Sequence, residues 1–543
     1  MIDTLSNSTT ATMARGRFSR SRTAALGSGV GLFAALCALP VLFMLVLSLQ
    51  SADGLSFENY RHLLTQPRQR ELLLTSAVLA GGAALIGTII GAPLGLLLAR
   101  ADLPAKRFLR LALIVPLVIP PYILGLAWIY FGGSAGLAAR TIGRDLLSGS
   151  TYSLTGAIVV LGIGFYPLSM LATEAAARRV EARLEEAALL VALPRRVLMR
   201  ITLPLIAHAV AAAALIIFVL ALSEFGVPAL LRVRVFTTEV FTAFAALYDF
   251  GAATALAAPI MALALVAGVG VKLMIGERLL TTRRNLAVGL PIYLGRLHAS
   301  VLACLAILVA AFVALPLAVL AREAGRVERV AAAVNASSSA IASSLLLATG
   351  GAVLTAALAA VVGYAAARAE RLRSLANLSF IVLFAVPSTV VGIGLIGLWN
   401  RPGLPSEVYR SPLIIVIAYI ARFAPVAALI LSGAVRQVPV SLEEAAQVAG
   451  ADWMRTFTRI VLPNLKAGLA AALVVCFILA FGELGATVLV APPGESTLPI
   501  RIYTLIANTP SSEVAALALV QTGVVLMPLV LFGAFARGKG GGR

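Results

Sequence analysis

Four carboxylates stand in two adjacent pairs, Glu185-Glu186 and Glu443-Glu444, each followed at once by two alanines, Ala187-Ala188 and Ala445-Ala446. Glutamate and alanine both favour a helix, and small side chains permit close approach of a partner, so the chemistry on offer is docking. A second carboxylate pair, Glu224 in Ser223-Glu-Phe-Gly226 and Glu483 in Gly482-Glu-Leu-Gly485, ends an apolar run in each half of the chain. Two such groups in matching places attract a cation or gate a path by pairing with arginines; the competing reading leaves them at an outer interface, solvated or paired with Arg232, Arg234 or Arg501. Arg422 falls inside an apolar run, in Tyr419-Ile-Ala-Arg422-Phe-Ala-Pro425. A charge there costs about 2.5–3.5 kcal/mol on insertion scales, so a partner such as Glu483 or a wet cavity is expected, with snorkelling toward the cytoplasm as the alternative.

The elements that must position these groups are membrane helices. The chain of 543 residues is 60% hydrophobic with a mean hydropathy of +0.98, far above soluble proteins. A helix crosses the hydrocarbon core with roughly 20 mostly apolar residues, and stretches of that length recur throughout. About twelve are expected, near Leu26–Leu49, Leu72–Leu98, Leu111–Phe131, Leu154–Ala172, Leu205–Leu222 and Ala253–Ile275 in the first half. The second half holds Ala299–Leu320, Ala342–Ala366, Leu375–Trp399, Pro412–Ser432, Leu465–Gly482 and Val514–Ala536. Barrel strands do not give such long apolar runs, so the fold class is an all-α membrane bundle. The net charge of +19 lies in short loops such as Arg15–Arg22, Lys106–Arg110 and Arg178–Arg200, where it sets orientation and calls for no nucleic acid. All basic clusters fall on one side if spans alternate, so both termini are expected in the cytoplasm. The first span has no small-residue cleavage site ahead of a hydrophilic domain and is expected to be retained. Cys37, Cys304 and Cys476 lie apart inside apolar spans without metal-ligand spacing, and packing roles are expected.

Aligning the halves on the two Glu-Glu-Ala-Ala steps carries the match outward. Phe165-Tyr-Pro167 answers Phe423-Ala-Pro425, Val118-Ile-Pro120 answers Ala385-Val-Pro387, and Thr237-Thr238 answers Ser496-Thr497. Six spans per copy is an even number, so the repeat is parallel, with a pseudo-two-fold axis along the membrane normal. The expected domains are a cytoplasmic tail at 1–25, a first repeat at 26–276, a cytoplasmic linker at 277–298, a second repeat at 299–536 and a tail at 537–543.

Each step begins a polar island that closes on Ile201-Thr-Leu-Pro204 or Ile460-Val-Leu-Pro463. A short surface helix is expected in each, breaking near Pro194 and Gly450, with proline restarting the next span in its first turn. The islands resemble the cytoplasmic "EAA" signature of permeases in bacterial ATP-binding-cassette importers: Glu-Ala-Ala, three residues, Gly, nine residues, Ile-x-Leu-Pro. The second copy matches at Glu444, Ala445, Ala446, Gly450, Ile460, Leu462 and Pro463; the first has Ala192 in place of the glycine and is one residue shorter before Ile201. The resemblance implies a type I importer permease in which each island docks in a groove of one ATPase. It implies two ATPase subunits, one periplasmic or lipid-anchored solute-binding protein, and surrounding lipid in a bacterial inner membrane. The chain lacks a Gly-x-x-x-x-Gly-Lys-Ser/Thr loop, so it is not expected to be an enzyme; ATP and Mg are expected to act in the ATPase.

Helix breakers and polar groups within spans point at the path: Pro120 and Tyr122, mirrored by Pro387 and Ser388, together with Glu224, Glu483, Tyr419 and Arg422. The fused length, Phe225-Gly-Val-Pro228 and Thr497-Leu-Pro499 look most like ferric-iron permeases, with thiamine, phosphonate and polyamine permeases sharing much of the pattern. No His/Asp/Tyr cluster with hard-cation spacing marks a metal site, and the metal assignment stays unknown. A proton-driven secondary transporter also uses intramembrane carboxylates and repeats but has no need of two matched docking islands. A membrane enzyme needs a catalytic constellation, and His62, His208 and His298 are scattered.

Overall fold

The computed structural model describes residues 22–51, 54–55, 60–61, 65–245, 250–275, 291–369 and 373–538. The basic residues Arg15, Arg17, Arg20, Arg278, Arg283, Arg284 and Arg371, most of the proposed linker and nearly all of both tails lie outside the described residues. Helices dominate, as they must where lipid offers no partner for backbone N–H and C=O groups. The first half contains α1 (Arg22–Ser48), α2 (Pro67–Arg100), α3 (Lys106–Val118), α4 (Pro121–Gly132), α5 (Leu154–Ala177), the island helix α6 (Ala182–Leu189), α7 (Pro194–Ser223) and α8 (Phe250–Ile275). The second contains α9 (Gly295–Ala324), α10 (Ser338–Arg368), α11 (Arg373–Ala385), α12 (Ser388–Trp399), α13 (Leu413–Val435), the island helix α14 (Val440–Val448), α15 (Trp453–Asn464), α16 (Lys466–Phe481) and α17 (Ser511–Gly538). Shorter helices are named by their ranges. Among the described residues ten helices are long and apolar enough to cross a membrane, or twelve with the bent pairs α11–α12 and α15–α16 each counted as one. The third span of each half is broken, at Ile119-Pro120 and at Val386-Pro387, the second with a bend of 94°. Proline lacks the N–H that would continue the ladder, and it biases the residue before it toward an extended backbone.

The same chemistry leaves a second mark of the repeat. Four π turns occur among the described residues, Ala34–Ala38, Leu198–Thr202, Ala310–Ala314 and Phe457–Val461, and each runs straight into Leu-Pro. The missing proline N–H and the clash of its ring with the carbonyl four residues back widen the helix by one residue. Two of these turns lie in the first spans of the halves and two close the islands, so the duplication is written in backbone geometry as well as in residue types.

Packing does not follow chain order. One compact unit gathers α1 as far as Val46, Ala342–Phe384 and Val391–Ser496; the other holds Leu47–Ile341, Ala385–Val390 and the chain from Thr497 onward. The boundaries 26–276 and 299–536 therefore mark sequence repeats, and the packed units cut across them. In the first unit α1 lies on second-half helices: Phe33 meets Phe380 edge-on at 5.4 Å, and the Arg401 guanidinium lies 4.6 Å from the centroid of the Phe43 ring. In the second unit α9 lies on first-half helices, with Phe312 5.7 Å from Tyr166. Each half thus lends its first helix to a unit built mainly from the other half.

Small residues set the closest contacts. Gly87, Gly91 and Gly95 line one face of α2 against α5, and a Cβ on Gly91 or Gly95 would collide with the backbone carbonyls of Tyr166 or Met170. In the second half Gly363 of α10 meets the Ser432 N–H and the Ala428 carbonyl of α13 in the same way. With no hydrophobic drive between helices in lipid, such backbone approach supplies the van der Waals contact that holds spans together.

Candidate functional site

The Glu-Glu step divides its two carboxylates between two tasks. On α6, Glu185 turns inward and is buried, while Glu186 and Ala187 face outward. Arg100, the last residue of α2, donates from Nη1 to Glu185 Oε2 at 2.9 Å and from Nη2 to Oε1 at 3.3 Å; Thr202 Oγ1 donates to Oε1 at 2.7 Å. On α14, Glu443 is buried while Glu444 and Ala445 face outward. Arg368, the last residue of α10, donates from Nε to Glu443 Oε1 at 2.8 Å, and the Tyr364 hydroxyl donates to Oε2 at 2.7 Å. In each half an arginine that ends the second span therefore clamps the island to the helix bundle. Both clamps are forked, charge-assisted and withdrawn from water, the geometry in which an ion pair holds position best.

Large apolar side chains share the outward face with Glu186 and Glu444. Leu184, Leu190, Val191 and Leu193 are exposed around α6, as are Val440, Leu442 and Val448 around α14. Ala188 is half-buried and Ala446 is buried, so the second alanine packs the island against its own body. Gly450 has φ +80° and closes α14 with Ala451 N–H donating to Ala446 O at 2.9 Å and Gly450 N–H donating to Gln447 O at 3.0 Å. That is a Schellman closure, which favours glycine at the left-handed position. The first copy has no left-handed residue there: α6 ends over Leu190–Ala192, Leu193 is extended, and Pro194 opens α7. The missing residue and the missing glycine are one change, a plain turn in place of a Schellman turn.

The residues expected along the path fall at the breaks and just past the C-terminal ends of the fifth spans. Pro120 caps α4, and Tyr122 in its first turn is buried and donates its hydroxyl to Gln521 Oε1 on α17. Pro387 and Ser388 sit at the matching break, Ser388 buried. Glu224 Oε1 accepts the Gly226 N–H at 3.0 Å and its backbone oxygen accepts Thr237 Oγ1 at 3.0 Å. Glu483 repeats the device, accepting the Ala486 N–H at 2.8 Å through Oε1 and Thr487 Oγ1 at 2.8 Å through its backbone oxygen. Each carboxylate thus folds back on the turn that follows its span. Arg232 lies over the Tyr152 ring at 5.5 Å and Arg501 Nε donates to Ser337 Oγ at 3.4 Å.

Arg422 does not snorkel. It is 5% exposed, donates from Nη1 to the Phe384 carbonyl at 3.0 Å and lies 5.6 Å from the Phe384 ring centroid. Tyr419, one turn away, is buried, stacks on Phe423 at 6.4 Å and packs against Gly351. Among the described residues no three His, Cys, Asp or Glu side chains converge as metal ligands.

The clamp partners Arg100, Arg368, Tyr364 and Thr202 were not singled out from sequence. A signal was present: Gly95-Leu-Leu-Leu-Ala-Arg100 and Gly363-Tyr-Ala-Ala-Ala-Arg368 place glycine, alanine and arginine at the same spacing in both halves. Gln521 had no such repeat to mark it.

A duplicated multi-pass bundle with a broken third span and a clamped surface helix in each half has the construction of a membrane permease. The chain belongs to the family described as binding-protein-dependent transport system inner membrane component, whose model matches twice, over residues 91–278 and 359–537. It is 26% identical over 481 residues to the Fe(3+)-transport system permease protein FbpB 2 of Haemophilus influenzae, covering 87% of this chain and 89% of that one. It is 36% identical over 168 residues to the molybdenum transport system permease protein ModB of Mycobacterium tuberculosis, covering 30% of this chain and 62% of that one. A 27% identity over 151 residues relates it to the putative 2-aminoethylphosphonate transport system permease protein PhnV of Salmonella paratyphi A, covering 28% and 56%.

Proposed function

We propose that this permease forms the translocation path of an ATP-driven importer for Fe(III) delivered by a binding protein, with each island docked on one of two separate ATPase subunits. ATP and Mg act in those subunits. The observation that carries the reading is the paired clamp: Arg100–Glu185 and Arg368–Glu443 hold two outward-facing Glu-Ala edges, Glu186-Ala187 and Glu444-Ala445, in the same relation to their second spans. A rigid clamp lets force applied at the surface reach the helices, and duplication within one chain supplies two docking points. Both termini and both islands face the cytoplasm, in keeping with the basic residues around them. When the ATPases close on ATP the islands move together and the path opens toward the binding protein, a shift between two states biased by nucleotide. The iron assignment is supported by similarity to FbpB 2 over 87% of the chain, where the ModB and PhnV matches cover 30% and 28%.

The experiment is ATP hydrolysis by the chain co-expressed with an ATPase and a binding protein, the latter loaded with Fe(III), molybdate, thiamine or 2-aminoethylphosphonate. Stimulation by the Fe(III) form alone is expected. Stimulation by another loaded form reassigns the solute, and failure of any ATPase to co-purify overturns the importer in favour of a proton-driven transporter.

A further inference from the structure

The two halves are packed differently beside their islands. In the first, a cavity of about 530 Å³ lies between α2, α5 and α7, its wall along α7 made of small side chains such as Ala207, Ala211 and Ala214. It opens between α2 and α7 at Pro93 and Ala207, both exposed on apolar spans, so the medium at its mouth is hydrocarbon. The volume and the mainly apolar lining are those of a ligand site, in which a few polar groups fix orientation. Those groups are Thr88 and Thr173. A helical threonine commonly returns its hydroxyl to a carbonyl three or four residues earlier. Here both hydroxyls are withdrawn from solvent without a hydrogen-bond partner among the described residues, and Thr173 is 1% exposed. The matching places in the second half carry larger side chains. Leu431 stands for Thr173 and reaches to within 3.6 Å of a Cβ on Gly468 of α16. Tyr364 stands for Leu96, its ring centroid 5.9 Å from Trp453 and 5.5 Å from Phe457, and Leu473 stands for Ala214. The cavity also borders the first clamp, since Leu96 and Leu203 in its wall lie one turn before Arg100 and next to Thr202.

Depth selects the ligand. With the 24-residue α5 centred in a core about 30 Å thick, Thr173 lies about 11 Å from the midplane, near the level where phospholipid acyl chains join their ester carbonyls. Thr88 is deeper: Thr173 packs at the level of Gly95, and Thr88 lies about 10 Å further along α2. We infer that this cavity is a phospholipid site, in which one acyl chain fills the groove along Ala207, Ala211 and Ala214 and its ester carbonyl accepts the Thr173 hydroxyl. The chain does for the first island what Tyr364, Trp453 and Phe457 do for the second, filling the space between the second span and the helix that follows the island.

The test is photolabelling of the full-length chain in lipid nanodiscs that contain, as a minor fraction, phosphatidylcholine with a diazirine midway along one acyl chain, the insertion sites being read by mass spectrometry. Labelling of Ala207 and Ala211 is expected to exceed that of Leu85 and Ile89, which face outward on α2 at 62% exposure. Thr173→Val, which keeps the shape and removes the hydroxyl, is expected to lower labelling in the cavity about fivefold, the worth of one hydrogen bond. Thr173→Ser should retain it, and Thr88→Val, against the chain alone, should leave it unchanged. A probe with ether in place of ester linkages should label the parent about fivefold less and be indifferent to Thr173→Val, as two partners in one contact behave. Thr173→Leu combined with Ala214→Leu, the residues of the second half, should remove the labelling. Equal labelling of the cavity and of Leu85 and Ile89 would mean bulk lipid only and would overturn the site. Equal labelling by the ester and ether probes, or a Thr173→Val chain that labels like the parent, would overturn it too. Labelling needs neither ATPase nor solute, so its failure is distinguishable from failure of the importer reading.

Discussion

Replacing Glu185 by glutamine separates the clamp from the docking edge more cleanly than any other single change. The carboxylate and its Arg100 partner are both withdrawn from solvent, at 4% and 2% side-chain exposure, so the change leaves a guanidinium buried without its counter-charge. Breaking a buried pair this way costs about 3–5 kcal/mol. Glutamine keeps one acceptor for Thr202 or Arg100, which favours the lower end. Since about 1.4 kcal/mol is a factor of ten, a loss of ~3 kcal/mol raises the population of detached island about 150-fold. Trypsin reports that population, because cleavage of a transiently opened segment follows its equilibrium when reclosing is fast. Cleavage at Arg183, Arg195 and Arg196 of the purified chain in lipid nanodiscs, followed by mass spectrometry, is expected to accelerate by about that factor. Glu186→Gln, one residue along and outward, is expected to stay within about 0.5 kcal/mol of the parent, as exposed substitutions do. Replacing both clamp residues by methionine is expected to recover most of the loss, since apolar substitutes for a buried pair are often neutral. Equal cleavage rates in Glu185→Gln and the parent, or equal acceleration by Glu186→Gln, would refute the division of labour between the two glutamates.

Other outcomes follow from the same geometry. Glu186→Lys combined with Glu444→Lys should abolish ATP-driven uptake in vesicles while the chain remains inserted at parental levels; normal uptake would sink the docking assignment. Gly91→Ala in α2 drives a methyl into the Tyr166 carbonyl; overpacking of this kind costs about 1–3 kcal/mol, seen as a lower thermal midpoint in detergent. Gly450→Ala places a side chain at φ +80° and is expected to cost about 1–2 kcal/mol by the same measurement, whereas Ala192→Gly should cost no more than a few tenths. Residues 1–276 and 299–543 expressed apart should each be degraded, because each packed unit draws helices from both, and co-expression should restore a stable pair.

The span count, the broken third spans at Pro120 and Pro387, the repeat and the two islands were legible because each leaves a local trace: an apolar run, a proline in it, or a motif stated twice. The helix exchange was not, since nothing in α1 or α9 names the surface it packs on; Phe33 and Phe312 become informative only beside Phe380 and Tyr166. The division between Glu185 and Glu186 was also hidden, because adjacent helical residues point about 100° apart and only the position of the bundle decides which turns inward. Arg422 was flagged by its cost, but the Phe384 carbonyl that it meets was out of reach, because a backbone acceptor beside a break has no residue type to announce it.

The central claim is that one chain carries two equivalent ATPase docking points. The mass of the complex purified with its co-expressed ATPase in lipid nanodiscs, with Glu186→Lys alone and together with Glu444→Lys as comparisons, tests it most directly. Two ATPase subunits per chain in the parent, weakened binding at one in the single variant and at both in the double variant are predicted. A single ATPase per chain in the parent, or two undiminished in the double variant, would contradict it.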